Sequence, residues 1–207
     1  MAHKQILSPL PLSQSGFTIV ELLVAILIVG ILMTVISPVL VLSTATRVQA
    51  RRVELATQAA RAYIDGLKSE TINSPPSITG NLEDYAAPTS SGSLSCTANS
   101  YCSSMPSLYC VDFDGTGCST SSLTDMVIQA FRVNPASTDA DKGYRLGIRV
   151  YRADAFKDTG TLKKQTKQAT FTGGLGDRQA PLVEMTSDIS TSQTRFRDFC
   201  ERLHCGK

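Results

Sequence analysis

Apolar residues form one continuous segment near the start of the chain, from residue 17 to residue 42. Its only charged member is Glu21, and polar residues precede the segment at positions 13 to 15. As a helix, these 26 residues would be about 39 Å long, which is enough to cross a bilayer. The pattern predicts a transmembrane helix that carries a carboxylate near its first turn.

Helical periodicity continues beyond the apolar segment, over residues 43 to 73. Apolar side chains recur there at steps of three and four, which gives one apolar stripe. The stripe comprises Val48, Leu55, Ala59, Ala62, Tyr63 and Leu67. The prolines that follow Asn73 end the pattern. We therefore expect one helix of about fifty residues, apolar in its first half and amphipathic in its second.

Residues 74 to 207 are expected to form one globular domain. The stretch up to residue 125 is rich in Ser, Thr, Gly and Pro and has little strand or helix period. Strands are predicted from Met126 to Val133 and, by alternation, from Tyr144 to Arg152. Weaker strand patterns cover residues 167–172 and 182–185. The predicted fold class is α+β: a long helix on a small antiparallel sheet, with an irregular region held by disulfides.

Six cysteines in a domain of this size are typical of an oxidising compartment. They are Cys96, Cys102, Cys110, Cys118, Cys200 and Cys205. Six cysteines allow fifteen pairings, and the spacing does not select one for the first four. The last two are close enough to bridge each other. A metal site with His204 is the alternative, but it would offer only three ligands.

Asp112 and Asp114 begin a segment that is similar to the front of a calcium-binding loop, with glycine at its sixth position. The twelfth position holds Leu123 rather than glutamate, and Asp125 is near but out of register. The two aspartates are therefore candidate calcium ligands, and an acidic turn between cysteines is the alternative. No other cofactor is expected.

Neither nucleic-acid binding nor catalysis is favoured by the remaining residues. The net charge is +2 and charged residues make up 18% of the chain, so no basic excess points to nucleic acid. The basic residues of the strand region are interpreted as a solvated sheet face; they are Arg145, Arg149, Arg152, Lys163, Lys164 and Lys167. Phosphate-binding glycine loops and serine- or zinc-hydrolase motifs are absent from the sequence, and we do not expect an enzyme.

The N-terminal pattern Gly16-Phe17-Thr18-x-x-Glu21, followed by about twenty apolar residues, resembles the processing site of type IV pilins and pseudopilins. The resemblance implies that a prepilin peptidase removes residues 1–16 after Gly16 and that Phe17 is then methylated. It further implies that Glu21 recruits a neighbouring subunit by pairing with the amine of that subunit's Phe17. The alternatives are an uncleaved single-pass anchor and a Glu21 that is merely hydrated among the headgroups.

Gly30 and Pro38 are two weak points in the predicted membrane helix. Proline cannot donate a backbone hydrogen bond to the carbonyl of Thr34, and glycine lowers helix propensity. In pilin filaments the helix is lost between a glycine and a proline placed in this way. The resemblance implies that residues 30–38 extend on assembly; a simple kink is the alternative.

Two features of the sequence conflict about the side of the membrane on which the globular domain lies. Arg47, Arg51 and Arg52 follow the predicted span, whereas only His3 and Lys4 are basic before it, and the positive-inside rule alone would place the domain in the cytoplasm. The resemblance and the cysteines favour the opposite orientation. We expect a single span in the inner (cytoplasmic) membrane with residues 74–207 outside the cytoplasm.

Residues 45 to 66 resemble, more narrowly, the cyanobacterial pseudopilins of hormogonium polysaccharide secretion. The implied function is that of a minor pilin or pseudopilin in a type IV pilus-like or type II secretion-like filament that supports polysaccharide secretion and gliding motility. Its partners would be the prepilin peptidase/methyltransferase, other pilin-like subunits and the inner-membrane assembly platform. The alternatives are a ligand-binding minor pilin, for adhesion or DNA uptake, and a membrane-anchored domain that does not polymerise.

Overall fold

The computed structural model describes residue 16, residues 18–166, residues 176–203 and residue 205. These residues belong to two compact units, of which the first ends at Ser43 and the second begins at Thr44. Two α-helices are described, α1 (Ile19–Lys68) and α2 (Phe196–Leu203). The described strands are β1 (Thr89–Ser91), β2 (Ser100–Tyr101), β3 (Leu108–Val111), β4 (Met126–Val133), β5 (Tyr144–Arg152), β6 (Thr159–Thr161) and β7 (Val183–Ile189).

Helix α1 contains the apolar segment and its amphipathic continuation, as the sequence predicts. Within the described residues it is the one helix that is long and apolar enough to cross a membrane. Its most apolar window of 18 residues has a mean hydropathy of 3.0, and none of that window is buried. Length and composition therefore suit a membrane span.

The main sheet contains five antiparallel strands in the order β2-β3-β4-β5-β7. Strands β4 and β5 form its centre, with Ile128 opposite Val150 and Ala130 opposite Ile148. β1 and β6 pair separately as a two-stranded antiparallel sheet. The two main strands predicted from the sequence, β4 and β5, thus have the predicted bounds, and β7 covers most of the weaker 182–185 pattern. The pattern at 167–172 lies outside the described residues.

Each face of the main sheet has its own apolar cluster. On one face, Leu55, Ala59 and Tyr63 of α1 are buried with Ile128 and Ile148 of the central strands. On the other face the cluster includes Val127, Tyr151 and Phe156, together with the half-cystines Cys102 and Cys110. Alternate residues of one strand face opposite sides of a sheet, which is why neighbouring positions such as 127 and 128 join different clusters. The expected α+β fold, with a helix on a small antiparallel sheet, is confirmed.

The C-terminal end of α1 is earlier than expected. The helix ends at Lys68, five residues before the predicted boundary at residue 73. The carbonyl of Gly66 accepts hydrogen bonds from the backbone N–H groups of Thr71 and Ile72. These bonds turn the chain away from the helix axis, so the helix stops before the prolines are reached.

The interpretation of the basic residues as a solvated sheet face is wrong for Arg149 and Arg152, which are buried. The guanidinium of Arg149 donates to the backbone carbonyl of Tyr85 and to the side chain of Gln129, and it lies 4.9 Å from the ring centre of Phe131. Arg152 forms an ion pair with Asp154. Both arginines attach connecting segments to the sheet, which a sequence pattern of alternating exposure does not reveal.

Candidate processing and assembly site

The start of α1 is capped by Thr18. The hydroxyl oxygen of Thr18 accepts a hydrogen bond of 3.3 Å from the backbone N–H of Glu21. Thr18 precedes the first helical residue and Glu21 is the third residue of the helix, which is the spacing of a capping box. A carboxylate in the first turn also complements the helix dipole. Glu21 therefore lies at a position where the helix itself favours an acid.

Gly16 and Thr18 are the two residues that the structure describes before α1. Gly16 is exposed and not helical, and a side chain added to it would meet no atom within 4 Å. Thr18 is exposed as well, whereas Phe17 lies outside the described residues. The described residues on both sides of Phe17 are thus accessible, as a protease substrate must be.

The first half of α1 presents an apolar surface that no other described residue of its unit covers. The large apolar side chains from Ile19 to Val41 are each between 49% and 79% exposed. A surface of this extent is far larger than the isolated apolar patches of soluble monomers. It therefore requires lipid or the apolar surface of another protein around it.

Gly30 and Pro38 both lie inside α1. Beside them, the hydroxyl of Thr34 donates to the backbone carbonyl of Ile31 at 2.8 Å. Residues 30–38 are therefore helical in this structure. The extension of these residues in an assembled filament stays a prediction.

Residues 12–37 match the family described as the prokaryotic N-terminal methylation motif. The motif supports a type IV pilin-like family. It covers the expected cleavage position, Glu21 and most of the apolar segment, and it implies processing by a prepilin peptidase and assembly with other pilins. The proteins that carry this motif are structural rather than catalytic. Neither a curated protein nor a solved structure matches the chain.

The candidate calcium ligands lie in the connection between β3 and β4. One carboxylate oxygen from each of Asp112, Asp114 and Asp125 can be chosen so that the three lie within 4.8 Å of one another. The spacing of a calcium loop does not make Asp125 a ligand. The fold nevertheless places Asp125 beside the other two aspartates, because it immediately precedes β4. Three oxygen-bearing groups in this arrangement suit a hard cation.

Groups of the same connection already bind these carboxylates. Asp112 accepts backbone hydrogen bonds from Asp114, Gly115 and Gly117 at 2.7 to 3.0 Å. Asp114 accepts from the backbone N–H of Thr116 and from the hydroxyl of Ser122, at 2.9 and 2.8 Å. The loop is thus organised by its own donors, which supports the acidic-turn alternative without removing the oxygens a cation would use.

The protonation behaviour of two of these acids differs. Hydrogen bonds from Thr116 and Ser122 lower the pKa of Asp114 to about 2. Burial raises the pKa of Asp125, although backbone donors from Phe113 and Ser119 oppose the increase. Asp114 is therefore held as an anion, whereas Asp125 takes up a proton more readily than Asp114 does.

The cysteines form two disulfides, Cys96–Cys102 and Cys110–Cys118. The third expected bridge is not formed, because Cys200 and Cys205 are free thiols in the structure. The backbone N–H of Cys205 donates to the carbonyl of Cys200 at 3.1 Å, and a hydrogen bond with the Cys205 thiol raises the pKa of Cys200. His204, the other member of the alternative metal site, lies outside the described residues.

Two of the residues that shape these sites were not singled out from the sequence. Thr18 caps α1, and the Thr-x-x-Glu spacing before an apolar run was a signal that could have identified it. Asp125 joins the acidic loop only through the fold, since the spacing from Asp112 argues against it. The other candidates, Gly16, Glu21, Gly30, Pro38, Asp112 and Asp114, have the local settings described above.

Proposed function

We propose that the chain is a minor pilin or pseudopilin, a subunit of a type IV pilus-like or type II secretion-like filament. In this proposal a peptidase cuts after Gly16 and Phe17 is methylated. The first half of α1 is the anchor in the inner membrane and later the core of the filament. The domain that begins at Thr44 lies outside the cytoplasm, an orientation supported by its two disulfides.

The observation that carries the proposal is the position of Glu21. It is the only charged residue between positions 17 and 46, and it lies in an exposed apolar helix. A carboxylate in such a helix costs about 2.5–3.5 kcal/mol at the centre of a bilayer and less near its surface. The ammonium of Phe17 in a neighbouring subunit is also costly in lipid. Pairing of this ammonium with Glu21 would remove both costs at the same time. Docking of two subunits is therefore favoured in lipid, because an unpaired charge is unfavourable there.

A finer assignment rests on residues 45–66, whose sequence resembles the pseudopilins of hormogonium polysaccharide secretion. We infer from it that the filament supports polysaccharide release and gliding motility. The work of the subunit is then mechanical: it inserts, docks through Glu21, and contributes to a short filament on the inner-membrane platform.

Replacement of Glu21 tests the assembly role. In Glu21→Ala the only charge of the span is lost, so membrane insertion should be unharmed or improved by up to about 2.5–3.5 kcal/mol. The domain from Thr44 onward should fold as before, because it is a separate compact unit. Crosslinking to other pilin-like subunits, measured in the native cells, should fall strongly, and polysaccharide secretion and motility with it.

Two further variants separate the charge of Glu21 from its position at the helix start. Glu21→Gln keeps a side chain that suits a capping box but has no charge, and it should be as defective as Glu21→Ala. Thr18→Ala removes the capping hydroxyl, at about 1 kcal/mol of helix stability, but keeps the charge, and it should still crosslink. Normal crosslinking and secretion in Glu21→Gln would contradict the assembly role.

A further inference from the structure

The residues that follow the apolar segment carry a concentrated positive charge that assembly through Glu21 does not explain. Arg47, Arg51 and Arg52 lie within six positions of one another, and no acid occurs between Glu21 and Glu54. Basic residues next to a span favour the cytoplasmic side. In the proposed orientation they are on the opposite side, so a compensating interaction is expected there.

Arg47 and Arg51 are available for such an interaction. Arg47 is exposed, and its side chain forms no hydrogen bond or ion pair within the part of the chain that the structure describes. Arg51 donates to Glu54 at 2.9 Å, but both side chains are 64% exposed, and such surface pairs contribute little. Because residues four apart share a helix face, the two guanidinium groups point to the same side of α1.

We propose that Arg47 and Arg51 bind the phosphate of anionic lipid headgroups at the surface of the membrane that α1 enters. The proposal rests on the proposed anchoring by the first half of α1. Arginine recognises phosphate through two parallel N–H bonds, and basic residues next to a span are attracted to anionic lipids.

Connectivity and side-chain direction favour lipid over an acidic protein surface. Four residues lie between Leu42, the end of the expected span, and Arg47, so the two positions are five Cα–Cα steps and at most about 18 Å apart. Side chains on a helix also lean toward its N-terminus, which here is the end that enters the membrane. Arg47 is thus kept close to the headgroups whichever neighbours the domain has.

The test compares two variants that remove equal charge from the same chain. The test variant is Arg47→Gln/Arg51→Gln. The control is Arg195→Gln/Arg197→Gln, which removes two exposed arginines of which Arg197 pairs with Glu201 at 2.9 Å, as Arg51 does with Glu54. Neither variant touches the buried Arg152–Asp154 pair, so both should fold.

Full-length protein in detergent micelles is titrated with phosphatidylglycerol or phosphatidylcholine, and bound lipids are counted by native mass spectrometry. The wild type and the control should prefer phosphatidylglycerol. In the test variant, the preference for phosphatidylglycerol over phosphatidylcholine should fall about fivefold for each arginine removed. Millimolar inorganic phosphate should not displace the lipid, and displacement would assign the site to a free anion and overturn the proposal.

Equal binding of the two lipids by the wild type, or an equal loss of preference in both variants, would contradict the headgroup site. The headgroup site would also be contradicted if the test variant kept its preference for phosphatidylglycerol but crosslinked less to pilin-like subunits. The arginines would then contact protein. Flotation with vesicles separates the two proposals. Protein that does not float with either lipid contradicts the anchoring, whereas flotation without a preference contradicts the headgroup site alone.

Discussion

Asp114 is held as an anion by the loop around it. The hydroxyl groups of Thr116, Ser122 and Thr124 and the backbone N–H of Thr116 donate to its carboxylate, and they lower its pKa to about 2 in the folded chain. In the unfolded chain an aspartate has a pKa near 3.9. A depressed pKa stabilises the fold at pH values above the unfolded pKa, and this contribution is lost as the pH falls from about 4 to about 2.

We therefore expect Asp114→Asn to reduce the dependence of stability on pH in this window. Urea unfolding at a series of pH values from neutral to acidic measures it. Wild-type stability should fall more steeply than that of Asp114→Asn below about pH 4. Asp65→Asn is the control, since Asp65 is exposed and its carboxylate accepts no hydrogen bond in the described structure. Parallel curves for wild type and Asp114→Asn would contradict the loop geometry.

At the scale of residues, the sequence predicts those positions whose neighbours are close along the chain. Asp112 and Asp114 were found because the calcium-loop pattern depends on residues that are close along the chain. Asp125 was set aside, because its place beside them depends on how the connection returns to β4. Arg149 was misassigned for the same reason, since its partners at Leu82 to Ala86 come from a distant segment.

At the scale of elements, long periodic segments were predictable and short ones were not. α1, β4 and β5 have 50, 8 and 9 residues, enough for a helical or alternating pattern to stand out. β1, β2, β3 and β6 have two to four residues each, and they form by pairing with partners elsewhere. The irregular region was predicted from its composition to contain disulfides. Which cysteines pair with each other was found only from the fold.

The cysteines give a prediction about two elements, the β2–β3 region and α2. Without reductant, a thiol reagent should label Cys200 and Cys205 and none of the four cysteines in the two disulfides. Cys200 should react more slowly, because its raised pKa leaves less thiolate. Peptide mapping of the labelled protein identifies the sites.

Mild oxidation should then remove both C-terminal labels together, because the two thiols are hydrogen-bonded neighbours. Labelling at Cys96, Cys102, Cys110 or Cys118 in the unreduced native protein would contradict the disulfide pairing. A crosslinked dimer on a non-reducing gel would contradict the close pairing of Cys200 with Cys205.

At the scale of the whole molecule, the two units have different requirements. The unit that ends at Ser43 exposes its apolar side chains and needs lipid or protein around it. The unit that begins at Thr44 buries its own core on both faces of the sheet. This division follows the hydrophobic pattern, which changes from a continuous apolar segment to a helical stripe after residue 42. The cargo and the neighbours of the domain depend on surface chemistry that no periodicity encodes.

The pilin-like assignment depends on processing at Gly16. The expected cleavage bond lies between Gly16, which is exposed, and Phe17, within the segment that matches the N-terminal methylation motif. Gly16→Val would place a branched side chain at this position and should leave residues 1–16 attached. This variant is the negative control for the measurement that follows.

Intact-mass spectrometry of protein from the membrane fraction of its own cells detects this cleavage. We expect a wild-type chain that has lost residues 1–16 and carries one methyl group on Phe17, while Gly16→Val retains the leader. A wild-type chain in the membrane that still begins at Met1 would contradict the pilin-like assignment and would favour an anchored domain that does not polymerise.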